Sequence, residues 1–314
     1  MQLIASQNVN VATGGAAQVS LPLSSLNDGQ TVEHLYLRLN GTLTLPVIAA
    51  GDMEPEHVSQ MLQGIQLQYG AGNININGAD LERYVRARWA YRSFNNNRTY
   101  PDNAATVISH VLVLPLVPTV YDSAGSVRRK MRIPTIMLRG QRVQFTLNTA
   151  ALGADITSFV GQVEVWADGD IPAKDSDDGS SPLFMNLSAT ADVNGSQLNF
   201  PRADLIVFGN TASFAQFQVD GVIETPITPA EHAQFYRWQY PSANGYRYDE
   251  TRTSLVGPAL YTYLEYVGGA RTTPQLCVAY DRRNHKNPSA GAFIRLMNRN
   301  AATALPIITE YATT

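Results

Sequence analysis

The chain has 314 residues, of which 44% are hydrophobic and 16% are charged, and its formal net charge is -3. This composition is that of a globular protein and excludes a disordered chain. The mild negative charge argues against a nucleic-acid-coating protein, and we expect no sequence-specific binding of nucleic acid. A single cysteine, Cys277, excludes a disulfide framework and a multi-cysteine zinc site.

The first residues, MQLIASQNVNVATGG, lack a basic leader followed by an apolar run. No stretch of the chain reaches the roughly 18 uninterrupted apolar residues that span a membrane. We therefore expect neither a secretion signal nor a membrane span.

Alternating apolar residues predict strands throughout the first half. In TVEHLYLRLNGTLTLP, residues 31–46, every second residue is leucine until Asn40-Gly41 interrupts the pattern, which then resumes. The run IQLQY from Ile65 passes through Gly70-Ala71-Gly72-Asn73 into a second alternating run, and this predicts a hairpin. VGQVEVWAD, which ends at Asp168, is the last strand predicted in this half.

Two further stretches of the first half predict strands of other kinds. ATVISHVLVLPLVP is apolar at both phases of the alternation, so we expect this strand to be buried on both faces. IMLRGQRVQFTL predicts two short strands hinged at Arg139-Gly140-Gln141.

Strand patterns dominate the second half as well. They are ADLIVFGN, FAQFQVDGVI, LYTYLEYV, QLCVAYD, AFIRLMN and LPIITEY. Strands without alternating helices argue against a parallel sheet and favour antiparallel sandwiches or barrels. The predicted fold class is therefore all-β.

Three short helices are predicted among the strands. In TPAEHAQFYRWQ, Thr228 is the expected N-cap, Pro229 the first helical residue and Glu231 the reciprocal partner of a capping box. A second helix follows Asp52 in MEPEHVSQMLQ. The third follows NGAD, because the side chains that recur at helical spacing there are Leu81, Tyr84, Val85 and Arg88.

The segment DGDIPAKDSDDGSSP, residues 168–182, has the composition of a linker. We therefore predict one domain over residues 1–170, a linker over 171–182 and a second domain over 183–314. The acidic residues of this segment also offer the oxygen ligands that calcium prefers, namely Asp168, Asp170, Asp175, Asp177 and Asp178. Since no EF-hand glutamate follows DSDDG, a solvated linker is favoured over a calcium site, with Asp175, Asp177 and Asp178 as the candidate ligands.

Two basic clusters stand out in this mildly acidic chain, both in expected hairpin loops. They are Arg128, Arg129, Lys130 and Arg132, and Arg282, Arg283 and Lys286 beside His285. A solvated loop tip that keeps sheet edges apart accounts for such clusters. The alternative is contact with an anionic surface, either lipid headgroups or packaged nucleic acid.

Aromatic residues crowd RWQYPSANGYRYDETR, residues 237–252. The interface candidates are Tyr236, Trp238, Tyr240, Tyr246 and Tyr248. Tyrosine-rich loops bury area at little entropic cost, so we favour a subunit contact over a carbohydrate-binding surface of similar composition.

Residue patterns for catalysis are missing from the sequence. The five histidines are scattered without an HxH or HExxH pattern, there is no GxSxG motif, and Cys277 lies in an apolar strand pattern. We expect structural roles for the histidines, no cofactor unless calcium binds, and no enzyme.

The order of motifs over residues 15–90 resembles a known family. A run ending in LPL, then VEHLYLRLNGTLTL, then GIQLQYGAGNININGADLERYV, is similar to the first jelly roll of double jelly-roll major capsid proteins. These proteins come from tailless icosahedral bacteriophages, including corticoviruses, tectiviruses and finnlakeviruses. The second half of the chain agrees with them in strand rhythm and size.

The resemblance implies two consecutive antiparallel jelly rolls and a homotrimer that forms a pseudo-hexagonal capsomer and tiles an icosahedral shell. It also implies synthesis in the host cytoplasm, a place in the virion, minor capsid or vertex proteins as partners, and an internal lipid membrane beneath the shell. A carbohydrate-binding or receptor-binding β-sandwich, such as a virion spike or lectin, is the alternative function, because it would share the strands and the exposed aromatic residues.

Overall fold

The computed structural model describes residues 1–45, 55–88, 104–118, 132–150, 158–168, 171–172, 183–232, 277–282 and 292–313. The chain divides into two compact units. The first comprises Met1–Glu82, Arg98–Leu187 and Ala312–Thr314, and the second comprises Arg83–Asn97 and Ser188–Tyr311.

The strands follow one another through nearly the whole described chain. They are β1 (Gln2–Val11), β2 (Ala16–Pro22), β3 (Gln30–Val32), β4 (His34–Leu45), β5 (Leu62–Tyr69), β6 (Gly72–Ile76), β7 (Ala104–Pro115), β8 (Ile133–Pro134), β9 (Arg142–Asn148), β10 (Ser158–Ala167), β11 (Ile171–Pro172), β12 (Phe184–Asp192), β13 (Gln197–Phe200), β14 (Leu205–Phe208), β15 (Gln216–Val219), β16 (Ile223–Ile227), β17 (Cys277–Asp281), β18 (Ala292–Met297) and β19 (Leu305–Thr313). Two helices are described over their whole length, α1 (Pro55–Gln60) and α2 (Gly78–Arg88). The predicted all-β class, with a few short helices, is confirmed.

The predicted domain boundaries differ in detail from the division into units. The first two residues of the predicted linker form β11, which pairs with β3, and a further pairing of β3 with β8 makes a small three-stranded sheet. The second unit also takes residues 83–97 from the first half of the sequence. The assignment of residues 83–97 to the second unit could not be predicted from the amino-acid composition of the segments.

Eight longer strands form the two sheets of the first unit. One sheet has the order β1-β10-β4-β7, and in the other β2, β9, β5 and β6 are successive neighbours. The described pairings are antiparallel. Val163 and Val165 of β10 are buried, as are the described leucines of the alternating face of β4 beside them: Leu35, Leu37, Leu39 and Leu43. The alternation in the sequence therefore identified the inner face of this sheet correctly.

The predicted interruption at Asn40-Gly41 is wrong, because β4 runs straight through it. Gly41 pairs with Gly161 of β10, and a Cβ atom at Gly41 would lie 2.5 Å from the carbonyl oxygen of Val160. The glycine is thus required where two neighbouring strands approach closely, and it does not mark a turn.

The predicted hairpin is confirmed. In β5 and β6 the register joins Ile65 to Ile76 and Tyr69 to Gly72, so the turn lies at Gly70-Ala71. Gly70 has a φ of 55°, which a residue without Cβ adopts at no steric cost. The two runs that alternate in the sequence are therefore the two arms of one hairpin.

Two other predictions for this unit need correction. β7 is buried on both faces only in its second half, since Val107 is 78% exposed. The first predicted strand of IMLRGQRVQFTL is instead a 3-10 turn over Thr135–Met137, closed by a hydrogen bond from the Leu138 amide to the Thr135 carbonyl. An exposed Ile136 before a buried Leu138 fits a turn as well as a strand, so alternation alone could not separate them.

The second unit has its own pair of sheets. β13, β18, β15 and β16 form one sheet, and β17, β14, β19 and β12 follow one another in the other. Three phenylalanines pack edge to face, with ring centroids 5.4 to 6.2 Å apart. They are Phe208 of β14, Phe217 of β15 and Phe214, which directly follows a 3-10 turn over Thr211–Ser213. Aromatic burial of this kind supplies a core for the second unit.

The three predicted helices are found in the structure. Leu81, Tyr84, Val85 and Arg88 of α2 are all buried, as their spacing predicts. The third helix starts at residue 229, and its capping box is formed: the Thr228 amide donates to the Glu231 carboxylate at 2.7 Å, and the Glu231 amide donates to Thr228 Oγ1 at 3.2 Å. Within the described residues, no helix is both long and apolar enough to traverse a bilayer.

His232, one residue after this capping box, should make the stability of the protein sensitive to acid. Burial lowers its pKa from 6.5 to about 4, because the ring packs against Phe217 at 5.2 Å and lies 4.0 Å from the Cys277 sulfur. Between these pH values the unfolded chain binds a proton that the folded chain does not. We expect the free energy of unfolding to fall by about 3 kcal/mol in total as the pH drops from 6.5 to 4.

The measurement is urea denaturation at several pH values, for the wild type and for His232→Gln. The variant lacks the titrating group, so its urea midpoint should depend less on pH over this window. Equal pH dependence in the two proteins would show that His232 is not the group responsible.

Candidate assembly surface

The outer face of the sheet β1-β10-β4-β7 has an unusual composition at one end. The register places Val160 of β10, Thr42 of β4 and Val107 of β7 in one row across the sheet. Outward-facing residues of the neighbouring rows are uncharged as well. We call the following set the uncharged face: Asn8, Asn10, Asn40, Thr42, Thr44, Ala105, Val107, Ser109, Ser158, Val160 and Gln162.

A charged and aromatic network borders the uncharged face. Glu164 accepts hydrogen bonds from the Trp166 indole at 2.7 Å and from the Arg38 guanidinium at 3.4 Å. Arg38 also donates to the Ser109 hydroxyl at 3.1 Å. Beside it, Tyr36 has its pKa raised to about 12, chiefly by burial and further by the charge of Asp168, so its hydroxyl stays protonated at neutral pH.

The next row of the same sheet ends in a cluster of Glu33, His34 and Asp168. One oxygen of Asp168 accepts hydrogen bonds from the backbone amides of Glu33 and His34, at 3.0 and 3.2 Å, and the other lies 3.1 Å from His34 Nδ1. Burial would raise the pKa of Asp168, but the hydrogen bonds from His34 and from the two amides outweigh it and lower that pKa. Asp168 therefore ties the start of β4 to the end of β10.

These three residues have ligand types that a metal ion could use, and the ligand atoms lie close together. However, Asp168 lies beside Nδ1 of the imidazole, while Glu33 lies 3.8 Å from Nε2. The imidazole therefore has one carboxylate near each of its two nitrogens. We call Glu33, His34 and Asp168 the clasp, because the contacts of Asp168 hold them together.

Arg132 extends the clasp. Its guanidinium donates to the hydroxyl and the carbonyl oxygen of Thr31, at 2.9 and 3.1 Å, and to Glu33 at 3.3 Å. The side chain is only 11% exposed. Its charge is thus used within the chain, a placement that the sequence did not predict for a residue of the basic clusters.

The chain is similar to known proteins in its structure, but not detectably in its sequence. No protein-family model matches the sequence, and no curated protein matches it significantly. The structure is similar to the STIV MCP over 98% of this chain and 95% of that one, with a TM-score of 0.53 and 12% identity. It is also similar to a chain in the atomic structure of Sulfolobus Turreted Icosahedral Virus, over 99% and 90% of the two chains, with a TM-score of 0.52 and 9% identity.

The fold is the double jelly roll. A further similarity, to the major capsid protein P2 of bacteriophage PM2, covers 98% of this chain and 97% of that one, at a TM-score of 0.49 and 13% identity. In the double jelly roll of this chain, each unit contributes two groups of four neighbouring strands. The two similarities with TM-scores of 0.53 and 0.52 confirm the fold implied by the sequence resemblance.

Most of the residues that the sequence suggested as interface, metal or anionic-surface sites lie outside the described residues. These are the aromatic set Tyr236, Trp238, Tyr240, Tyr246 and Tyr248, the acidic set Asp175, Asp177 and Asp178, and the basic residues Arg128, Arg129, Lys130, Arg283 and Lys286. The roles suggested for them stay predictions.

Arg282 is the other basic candidate that the structure places. Its guanidinium donates to Asp204 at 2.8 Å, and its backbone amide donates to the Asp204 carbonyl oxygen at 2.8 Å. Asp204 is buried, whereas Arg282 is partly exposed. Arg282, which directly follows β17, therefore pairs with the buried carboxylate of Asp204, and this contact is structural within the second unit.

The described histidines have internal contacts. His110 lies on the inner face of β7, where its Nε2 is 2.7 Å from the Ser59 hydroxyl, while His34 belongs to the clasp and the ring of His232 packs against Phe217. The side chain of His57 and the whole of His285 lie outside the described residues. These placements match the structural roles expected for the histidines that are described.

The sequence carried part of the signal for the uncharged face. The outward positions of β4 from Asn40 to Thr44 and of β10 from Ser158 to Gln162 can be read from the alternation as uncharged. What the sequence does not show is that β1, β10, β4 and β7 are neighbours in this order. The face was missed because it joins strands from distant parts of the chain.

Proposed function

We propose that this chain is the major capsid protein of an icosahedral virus and acts by assembling with copies of itself. The observation that carries the proposal is the double jelly roll, which matches the STIV MCP over nearly the full length of both chains. One of the matching chains belongs to the atomic structure of a whole virus. A match of this extent relates the whole chain, and not a single module, to a shell-forming subunit.

The proposed working unit is a homotrimer that forms a pseudo-hexagonal capsomer in the virion shell. Two sandwich units of similar construction in one chain give three copies the six sandwiches that such a capsomer needs. Minor capsid or vertex proteins would be further partners, an internal lipid membrane would lie beneath the shell, and the protein would be synthesised in the host cytoplasm. Its function would lie in surfaces between subunits.

The test uses the purified full chain at micromolar concentration. Native mass spectrometry should show a species of three copies, and negative-stain electron microscopy should show particles with a hexagonal outline. A chain that stays monomeric at these concentrations would contradict the proposal, because a shell-forming subunit must associate.

A further inference from the structure

The uncharged face has the composition of an interface centre. Charged residues make up 16% of the chain, and none of the residues of this face is charged. Charged residues are depleted at the centre of protein interfaces and return at the polar rim. The network of Arg38 and Glu164 borders the face in the position of such a rim.

Exposed apolar side chains lie within the uncharged face. Val107 is 78% exposed and Val160 is 51% exposed. They flank Thr42 in one row on three adjacent strands, so about 10 Å separates them. Two branched apolar side chains held this close on a rigid sheet give a partner a contact area that loses little entropy on binding.

The chemistry of the face limits the kind of partner. Its polar side chains are amides and hydroxyls, which both donate and accept hydrogen bonds. Nucleic acid and anionic lipid are bound through Lys and Arg, and this face has neither. A second protein surface of the same uncharged character is the matching partner.

The dimensions of the face agree with this assignment. Four strands at about 4.8 Å spacing and three rows at about 7 Å spacing cover about 400 Å². A standard interface buries about 800 Å² on each partner, so the face and its rim together approach one side of such an interface.

We propose that the uncharged face is a contact surface for a second copy of this chain. The inference rests on the proposed function, since a subunit that assembles with itself supplies an uncharged partner at equal concentration. A two-fold contact between trimers would pair the face with itself, whereas a contact within a ring of three copies would pair it with a different surface of the neighbouring subunit.

Introducing a positive charge into the uncharged face tests the proposal directly. Val107→Lys and Val160→Lys place a charge on the face, and Ile136→Lys is the matched control, because Ile136 is 76% exposed but lies on the 3-10 turn away from the face. We expect each face variant to raise the dissociation constant of the oligomer at least tenfold by native mass spectrometry, or to leave trimers intact but abolish their further assembly. The control should assemble as the wild type does.

Either loss supports a contact between copies, within or between trimers. The proposal would be overturned if the face variants dissociate and assemble as the wild type and Ile136→Lys do. That result would leave the proposed function, a trimeric capsid protein, unaffected. A wild type that is itself monomeric would instead contradict the proposed function.

Cysteine labelling gives a second measurement that does not depend on a disruptive variant. Cys277 is buried, so a maleimide should react with a newly introduced cysteine alone. Val107 and Ile136 are almost equally exposed in the single chain, and Val107→Cys should therefore react at least tenfold more slowly than Ile136→Cys in the oligomer if the face is covered. Equal labelling rates both in the trimer and in the larger assemblies that trimers form would overturn the proposal.

Discussion

Replacing Gly41 with alanine is expected to lower the free energy of unfolding by about 3 kcal/mol or more. A Cβ atom at Gly41 would lie 2.5 Å from the carbonyl oxygen of Val160 and 2.6 Å from the Cα atom of Gly161. Both are backbone atoms of the neighbouring strand, so relief requires β4 and β10 to separate where they hydrogen-bond. Urea denaturation followed by circular dichroism, at one fixed protein concentration, measures the change.

Gly140→Ala is the matched control. A Cβ atom at Gly140 would meet nothing within 4 Å, so the substitution should leave stability unchanged or raise it slightly by restricting the unfolded chain. Equal urea midpoints for the two variants would show that the close approach of β4 and β10 at Gly41 is not present in solution.

Replacing Glu310 with alanine is expected to cost about 3 to 5 kcal/mol. Glu310 of β19 is fully buried, where its carboxylate accepts a hydrogen bond from the Tyr84 hydroxyl, and Arg88 donates to that hydroxyl at 3.0 Å. Removing the carboxylate takes away the buried negative charge that balances Arg88. Burial, together with the charge of Glu310, raises the pKa of Tyr84 well above its usual value and keeps this hydroxyl a donor.

Two further variants separate the charge from the hydroxyl. Tyr84→Phe keeps the ring and removes one hydrogen-bonding group, so it should cost about 1 to 3 kcal/mol. Glu224→Ala removes an exposed carboxylate from β16 and should change stability by less than about 0.5 kcal/mol. A Glu310→Ala variant as stable as Glu224→Ala would contradict the buried network.

Features fixed by neighbours in the chain could be predicted from the sequence. The leucine alternation of β4, the β5–β6 hairpin and the Thr228–Glu231 capping box depend on residues a few positions apart, and the structure has each of them. Their signals are local because the hydrogen bonds or shared faces that produce them are local.

Features that depend on distant partners could not be predicted in the same way. Arg132 reads as part of a basic loop, yet it contacts Thr31 and Glu33 about a hundred residues away. The turn at Ile136 has the same alternation as a strand, and the uncharged face needs the order of four strands that no local pattern specifies. The double jelly roll itself was inferred through family resemblance, because strand rhythm alone fits several antiparallel folds.

The pairing of β1 with β10 has a consequence for how the protein is made. Gln2 pairs with Ala167, so β1 leaves the ribosome long before its hydrogen-bonded neighbour β10. Contacts between such distant segments fold slowly. During that interval β1 has no partner strand, and its polar residues Ser6, Gln7, Asn8 and Asn10 limit premature aggregation.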